Sequence, residues 1–165
     1  MKELFGTERI SFVELSESLV DEYLAMVNDY ENVNRFIGGR KDAFTREQEI
    51  WWVRDKLDRN APVFSMIEKK TGRFIGNIEL MDLTDTEAEL GIALTAKMQE
   101  KGLGAEAILA LGAYAADKFG LKRIYLRTAP FNSRAIHVYE KCGFKEYSRT
   151  EDHVFMEKLL KQPSL

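Results

Sequence analysis

Apolar residues recur along this chain with two periods, and each period predicts a different element. Alternation over residues 9–15 predicts a first strand, and helical spacing over residues 19–28 predicts a first helix. Residues 29–40 are rich in asparagine and glycine and follow neither period, which predicts a loop. Thr45 and Gln48 then fit the capping-box pattern that opens a second helix. The N-terminal part of the chain is therefore expected to form one strand and two helices.

The remaining pattern alternates strands and helices, with turn residues between them. It predicts a hairpin over 63–68 and 73–80, strands at 87–94 and 123–128, a long helix between these two, a short helix from Asn132 or Ser133 to Tyr139, and strands at 145–149 and 154–159. Since a helix separates the strand at 87–94 from the strand at 123–128, the two are expected to be parallel. The order of elements predicts an α/β domain with a mixed sheet.

Composition and charge narrow the class of protein. The 165 residues are 45% hydrophobic and 31% charged, which is typical of one globular domain, predicted over residues 1–165. The net charge of −3 gives no basic surface for nucleic acid, and no apolar run suits a membrane span or a secretory signal. A single cysteine, Cys142, suits a reducing compartment. We therefore expect a cytoplasmic monomer or homodimer without nucleic-acid or membrane partners.

A loop with two glycines, Gln99-Glu-Lys-Gly102-Leu-Gly104, separates a strand-like run from the long apolar helix. Backbone N–H groups freed from side-chain bulk, together with the unpaired N–H groups of a helix N-terminus, form a site for phosphate oxygens. The nucleotide-triphosphate P-loop does not fit, because Ala105 and Glu106 stand where that motif has lysine and serine or threonine. The loop therefore predicts a pyrophosphate site of another kind.

The dinucleotide fingerprint G-x-G-x-x-A fits residues 102–107 letter by letter, yet its context is missing. About eight residues separate Leu94 from Gly102, whereas the first glycine of the fingerprint follows its strand almost directly. The next strand carries Arg123 and Arg127 rather than an acidic residue for a ribose hydroxyl. A dinucleotide site and a purely structural turn are therefore the weaker interpretations of the loop.

Three segments carry a resemblance to a known family: Q-x-x-G-x-G over residues 99–104, the strand-like run over residues 88–94, and N-x-x-A followed by Y-x-x-x-G-F over residues 132–144. Taken together, they resemble the pyrophosphate loop, the fourth strand and the closing motif of the GNAT superfamily of acyl-CoA-dependent N-acetyltransferases. The full-length pattern is most similar to the branch that includes ribosomal-protein alanine and spermidine N-acetyltransferases. The resemblance implies the GNAT fold: a mixed, mostly antiparallel sheet of about six to seven strands, about four helices, and a central parallel pair that splays apart.

The same resemblance implies acetyl-CoA as co-substrate, bound between the strands at 87–94 and 123–128. It also implies direct transfer of the acetyl group to a primary amine in a ternary complex. One backbone N–H near 92–94 would stabilise the oxyanion that forms at the thioester carbonyl. The residues implied in acetyl-CoA binding are Ile92, Ala93, Leu94, Gln99, Lys101, Gly102, Leu103, Gly104, Ala105, Asn132 and Ala135. The alternative function is a non-catalytic sensor that holds acyl-CoA.

The chemistry implied by the resemblance needs a base and an acid. An amine with a pKa near 10 is almost fully protonated at pH 7, so a base must take its proton. Glu89 is the candidate base, with Glu87 as the alternate, and Tyr139 matches the general acid that protonates the departing thiolate. Each has a structural alternative: solvated charges for the two glutamates, core packing for Tyr139, and a helix N-cap for Asn132.

The acceptor pocket in such folds is built from the loop between the first two helices and from the edge of the central strand. Tyr30, Phe36 and Glu87 are the candidate contacts to the acceptor, a small-molecule or peptide amine. Acidic and aromatic groups together favour a cationic amine, such as a polyamine or a peptide N-terminus. His137 and His153 have no partner at metal-ligand spacing, so no metal is expected.

Overall fold

The computed structural model describes residues 1–162 and confirms the predicted α/β class with a mixed sheet. The strands in this range are β1 (Glu3–Gly6), β2 (Ile10–Glu14), β3 (Val63–Glu68), β4 (Phe74–Met81), β5 (Glu87–Leu94), β6 (Arg123–Thr128), β7 (Lys145–Arg149) and β8 (Val154–Leu159). The α-helices are α1 (Val20–Val27), α2 (Arg35–Ile37), α3 (Arg46–Asp58), α4 (Leu103–Phe119) and α5 (Ser133–Lys141). Residues 163–165 of the predicted single domain lie outside the described residues, and the single domain stays a prediction.

Two compact units make up the described chain: the first contains residues 1–79 and 92–103, and the second contains residues 80–91 and those from 104 onward. In the first unit, β1 to β4 pair in chain order, each antiparallel to the next. The end of β5 lies beside β4, where the Thr95 N–H donates to the Ile75 carbonyl oxygen at 2.9 Å. In the second unit, the strand order is β5-β6-β8-β7.

The predicted parallel pair is confirmed as β5 and β6. Their register pairs Glu87 with Arg123, Ala88 with Ile124, and Glu89 with Tyr125. By contrast, β6 pairs with β8 along its whole length. Neither Leu90 nor Gly91 has a β6 partner among residues 1–162, so the pairing ends early, as expected of strands that splay apart.

The core of the first unit joins α1 and α3 to β3 and β4. Its buried members are Leu15, Leu19, Val20, Tyr23, Met26, Val33, Val53, Val63 and Phe74. The predicted capping box of α3 is confirmed: the Thr45 hydroxyl accepts from the Gln48 N–H at 3.1 Å, and the Gln48 side chain accepts from the Thr45 N–H at 2.9 Å. These two bonds satisfy N–H groups that a helix start otherwise leaves unpaired.

The core of the second unit forms under α4. Its apolar face is buried through Ala107, Ile108, Leu111 and Ala115, and the helix ends before Gly120, which takes a left-handed φ of 67°. Among residues 1–162 no helix is both long and apolar enough to cross a bilayer, since even α4 has only 17 residues. On β6 and β8, alternate residues face this core, so the other face of the two strands keeps charged and aromatic side chains partly exposed.

The structure corrects two of the predictions. Within residues 1–162 the sheet has eight strands rather than six to seven, because Glu3–Gly6 forms an additional edge strand on which Phe5 stacks against Phe12 at 4.2 Å. The predicted loop at 29–40 contains a π-helical turn over Tyr30–Asn34, followed directly by α2.

Candidate functional site

The glycine loop connects β5 to α4 and has a left-handed backbone at two positions. Gly102 has a φ of 79° and Glu100 a φ of 62°. The Arg9 guanidinium donates a hydrogen bond to the Lys101 carbonyl oxygen at 3.0 Å. A Cβ on Gly102 would meet that same guanidinium at 3.4 Å. Arg9 therefore fixes the loop and brings a positive charge to it.

Backbone N–H groups of the loop are only partly available to a ligand. The Gln99 N–H, predicted to be the first of the set, donates instead to the Ala96 carbonyl oxygen at 3.3 Å. The N–H groups of Lys101 and Gly102 have no acceptor among residues 1–162. Because α4 begins at Leu103, the N–H groups of its first turn also lack intrahelical partners. The available donors thus begin at Lys101 and continue into the helix.

The Gln99 side chain ties the loop to two other segments of the first unit. Its amide nitrogen donates to the Leu94 carbonyl oxygen at the end of β5 and to the Asn32 carbonyl oxygen in the π-helical turn, both at 3.0 Å. Through these bonds, the predicted pyrophosphate loop contacts the segment that carries Tyr30 and Phe36. Both aromatic side chains are half-buried, and the Arg35 guanidinium lies 4.4 Å from the Phe36 ring centroid.

The last residues of β5, Ile92, Ala93 and Leu94, are half-buried and lie against β4. The close approach depends on Gly76, because a Cβ there would overlap the Ala93 carbonyl oxygen and meet the Leu94 Cα at 2.9 Å. Gly76 therefore allows β4 to approach the backbone of Ile92–Leu94, which is predicted to polarise the carbonyl group of the thioester.

The two candidate carboxylates lie on the partly exposed face of β5 in the second unit. The Glu87 carboxylate pairs with Arg123 at 3.4 Å, and Arg123 also pairs with Glu157 at 2.8 Å. The Glu89 carboxylate pairs with Arg127 at 3.4 Å. Side chains of Glu87 and Glu89 are 39% and 13% exposed, so Glu89 is the less hydrated of the two.

Tyr139 lies on α5, half-buried, with its ring 6.0 Å from that of Phe144. Burial, with a smaller contribution from Cys142, raises the pKa of Tyr139 to about 12. Its hydroxyl has no hydrogen-bond partner among residues 1–162. The Cys142 thiol donates to the Ala105 carbonyl oxygen (Sγ to O 3.8 Å), which places the end of α5 beside the first turn of α4. A protonated phenol thus lies on a helix that contacts the first turn of α4.

Asn132 has the helix-capping role that was one of its two interpretations. Its side-chain oxygen accepts from the Ala135 N–H at 3.3 Å and so starts α5. Among residues 1–162 no group of three or more histidine, cysteine, aspartate or glutamate side chains is arranged to hold a metal ion. Arg9 is the residue that sequence reasoning missed, since 92 positions separate it from the loop it contacts and no local pattern marks it.

Comparison with known proteins gives three findings. A sequence profile of the acetyltransferase (GNAT) domain matches residues 9–145. A spermidine N(1)-acetyltransferase from Vibrio cholerae is 30% identical over 117 residues, which cover 70% of this chain and 66% of that enzyme, just under two thirds of its length. Spermidine N-acetyltransferase from Vibrio cholerae, in complex with CoA and spermine, superposes with a TM-score of 0.84 at 21% identity, over 93% of this chain and 97% of that one.

A second solved structure agrees with the first in fold. An acetyltransferase (GNAT family) from Bacillus anthracis superposes with a TM-score of 0.80 at 20% identity, over 92% of this chain and 95% of that chain. At this level of identity, the two superpositions establish a common fold and leave the acceptor open.

Proposed function

This chain belongs to the acetyltransferase (GNAT) family, and we propose that it transfers the acetyl group of acetyl-CoA directly to a primary amine in a ternary complex. The family suggested by three sequence motifs is thereby confirmed. The loop at 99–104 is the observation that carries the proposal. Arg9 and Gln99 hold it so that consecutive N–H groups lead into the start of α4, an arrangement that suits a pyrophosphate.

Residues of the first unit would bind acetyl-CoA through its charged part. The N–H groups of Lys101 and Gly102 and of the first turn of α4 are hydrogen-bond donors, and the positive end of the helix favours a negative charge. The Arg9 guanidinium and the Lys101 ammonium add two formal positive charges. A backbone N–H at Ile92–Leu94 would donate to the thioester oxygen as negative charge develops there.

Residues of the second unit would handle the protons. Glu89 takes one proton from the acceptor ammonium, which frees the nitrogen lone pair to attack the carbonyl carbon. The C–N bond forms, the C–S bond breaks, and Tyr139 gives its phenolic proton to the departing sulfur. The new amide nitrogen loses a second proton, which balances the proton that Tyr139 has given.

A polyamine is the acceptor that we propose, because the relative with 30% identity is a spermidine N(1)-acetyltransferase. The candidate contacts to it stay Tyr30 and Phe36, which are half-buried aromatic residues of the first unit, and Glu87, a carboxylate of the second unit. Aromatic faces and carboxylates favour an alkyl chain that carries positive charges. The same groups also suit a peptide N-terminus, so the experiment must include both classes.

The proposed reaction is tested by measuring CoA release with a panel of spermidine, spermine, single amines and short peptides with free N-termini. We expect release with spermidine to exceed release with any peptide. Tight binding of acetyl-CoA, with no CoA released in the presence of any acceptor, would instead identify the non-catalytic sensor. Calorimetric titrations with acetyl-CoA and with NAD test whether the chain is instead a dinucleotide-binding domain. We expect acetyl-CoA to bind and NAD not to bind.

Glu89→Gln is expected to lower kcat/KM for the amine by about 10- to 100-fold at pH 7, because the glutamine cannot accept the ammonium proton. Raising the pH toward the amine pKa near 10 supplies neutral amine from solution, so the difference between variant and wild type should shrink. The measurement is initial rate against pH at saturating acetyl-CoA.

Glu87→Gln is the matched control, because it removes a carboxylate from the same face of the same strand, one that is 39% exposed against 13% for Glu89. We expect it to change kcat/KM less than Glu89→Gln at every pH. A larger loss in Glu87→Gln would transfer the role of base to Glu87, and a pH-independent loss in Glu89→Gln would show that the residue does not take the proton.

A further inference from the structure

Residues 29–40, the acceptor segment, contain the two aromatic residues proposed to contact the amine, yet the segment contributes little to the core of the first unit. Within it only Val33 and Asn34 are buried. The Asn34 side-chain nitrogen donates to the Val27 carbonyl oxygen at 2.9 Å, but its side-chain oxygen is buried without a hydrogen-bond partner among residues 1–162. A buried oxygen without a donor is costly. The segment therefore needs support from outside.

Hydrogen bonds support the acceptor segment at its base and at its turn. At the base, the Asn28 side chain donates to the Phe44 carbonyl oxygen at 3.0 Å and accepts from the Phe44 N–H at 2.8 Å. At the π-helical turn, the Asn32 carbonyl oxygen accepts from the Gln99 amide nitrogen at 3.0 Å. Because the bonds at the base hold only the two ends together, the position of the turn between them depends on the bond from Gln99.

The glycine loop that carries Gln99 is itself in a costly conformation. Glu100 has a φ of 62°, in the left-handed region that disfavours residues with a side chain. The N–H groups of Lys101 and Gly102, which follow it, have no acceptor among residues 1–162. A pyrophosphate that accepts from these N–H groups would stabilise this conformation. It would thereby hold the Gln99 side chain where it reaches Asn32.

We propose that Gln99 is a positioning residue that couples the two ligand sites of the first unit: a cofactor bound at the glycine loop stabilises the acceptor segment, which carries Tyr30 and Phe36. The inference rests on the proposed function, because it takes acetyl-CoA as the ligand of the loop. The amine therefore binds more tightly after acetyl-CoA than before it. Coupling of this kind is reciprocal, so a change that weakens the turn also weakens cofactor binding.

Amide hydrogen exchange over the acceptor segment measures this coupling, with CoA as the ligand so that no acetyl group is transferred. The N–H groups of Val33 and Asn34 donate to the Asp29 carbonyl oxygen, and those of Gly38 and Gly39 donate to the Asn34 carbonyl oxygen. Exchange of these amides therefore reports on the stability of the segment. Saturating CoA should slow it by about tenfold in the wild-type protein.

Gln99→Met should reduce that slowing to less than about twofold at a CoA concentration that saturates the variant, because methionine keeps the length of the side chain but has no N–H to donate. Gln162→Met is the matched control. The Gln162 amide nitrogen also donates to two backbone carbonyl oxygens, those of Leu121 and Leu160, but it does so in the second unit. Slowing over the acceptor segment in Gln162→Met should equal that in wild type.

A second variant tests the coupling in the opposite direction and keeps the inference testable if Gln99→Met does not fold. The Asp29 side chain accepts from the Asn32 N–H at 3.2 Å and starts the turn. Asp29→Ala should therefore weaken CoA binding by about threefold or more in calorimetry. Glu31→Ala is the control for loss of charge, since it removes an exposed carboxylate from the same segment. It should leave the CoA affinity within about 1.5-fold of wild type.

The outcomes separate this inference from the proposed function. Equal slowing in wild type and Gln99→Met, or wild-type CoA affinity in Asp29→Ala, would overturn the coupling and leave acetyl transfer intact. CoA that binds wild type without slowing exchange over the acceptor segment would do the same. Failure of CoA to bind the wild-type protein would instead overturn the proposed function, and this inference with it.

Discussion

Tyr139→Phe is expected to lower kcat by about 10³-fold while the KM for acetyl-CoA stays within about twofold of wild type. Phenylalanine keeps the ring packing against Phe144 but has no proton for the departing sulfur. The Tyr139 hydroxyl has no hydrogen-bond partner among residues 1–162, so its removal leaves no polar group unsatisfied. The unfolding midpoint should therefore be unchanged, and steady-state kinetics with spermidine should isolate the loss of the acid.

The raised pKa of Tyr139 also determines the pH dependence. With a pKa of about 12, its hydroxyl stays protonated through neutral and mildly alkaline pH, so kcat should show no falling limb from this group below about pH 11. Because the folded-state pKa is raised, the phenol stabilises the fold below pH 10 relative to higher pH, and that stability is lost as pH rises from 10 toward 12.

Tyr147→Phe is the control for loss of a phenol hydroxyl, since Tyr147 lies exposed on β7. Its kcat should stay within about twofold of wild type. If Tyr139→Phe kept more than about half of the wild-type kcat, another group or water would have to protonate the sulfur.

The glycine loop shows how far local sequence patterns reach. Its motif predicted a phosphate site, and the structure has the left-handed φ at Gly102 that the motif requires. The pattern could not predict that the Gln99 N–H is used within the loop, because this depends on a 3-10 turn over Ala96–Met98. It also could not predict Arg9, because a contact between positions 92 residues apart depends on strand pairing rather than on spacing.

The segment at 29–40 escaped prediction for a related reason. Its turn is π-helical, with the Asn34 N–H donating to the Asp29 carbonyl oxygen five residues back at 2.9 Å, and periods of 2 and 3.6 residues do not detect it. The Asp29 side chain accepts from the Asn32 N–H at 3.2 Å and starts the turn. The prediction correctly used asparagine as a sign of a turn, but only the fold decides which turn forms.

Strand β1 was missed because hardly any of it is buried. Phe5 is its half-buried residue, and the other three positions are exposed, so no alternation of apolar and polar residues is visible. The alternation that predicts a strand arises because every second residue is buried. An edge strand that buries only one ring therefore has almost no such alternation. The strands that carry the candidate site were predicted correctly, because Ala88, Leu90, Ile124 and Leu126 are all buried.

Gly76→Ala is expected to destabilise the protein by about 3 kcal/mol and to lower kcat/KM by about 10²-fold in the fraction that stays folded. An alanine Cβ would overlap the Ala93 carbonyl oxygen and lie 2.9 Å from both the Ala93 carbonyl carbon and the Leu94 Cα. These are backbone atoms of β5, so they cannot rotate away as a side chain would, and the strand itself must move. Urea unfolding gives the stability, and kinetics at a temperature well below the midpoint gives the activity.

Both stability and kcat/KM are affected because Gly76 lies opposite Ile92–Leu94, whose backbone is proposed to stabilise the developing oxyanion. Gly72→Ala is the matched control: its φ of 75° strains an alanine, but a Cβ there meets nothing within 4 Å. Gly72→Ala should cost about 1 kcal/mol of stability, because the alanine is strained at this φ. It should leave kcat/KM unchanged, because the strain is confined to the hairpin turn between β3 and β4. A Gly76→Ala protein with wild-type stability would show that β4 and β5 separate easily. One that is destabilised but fully active would remove this part of β5 from the catalytic site.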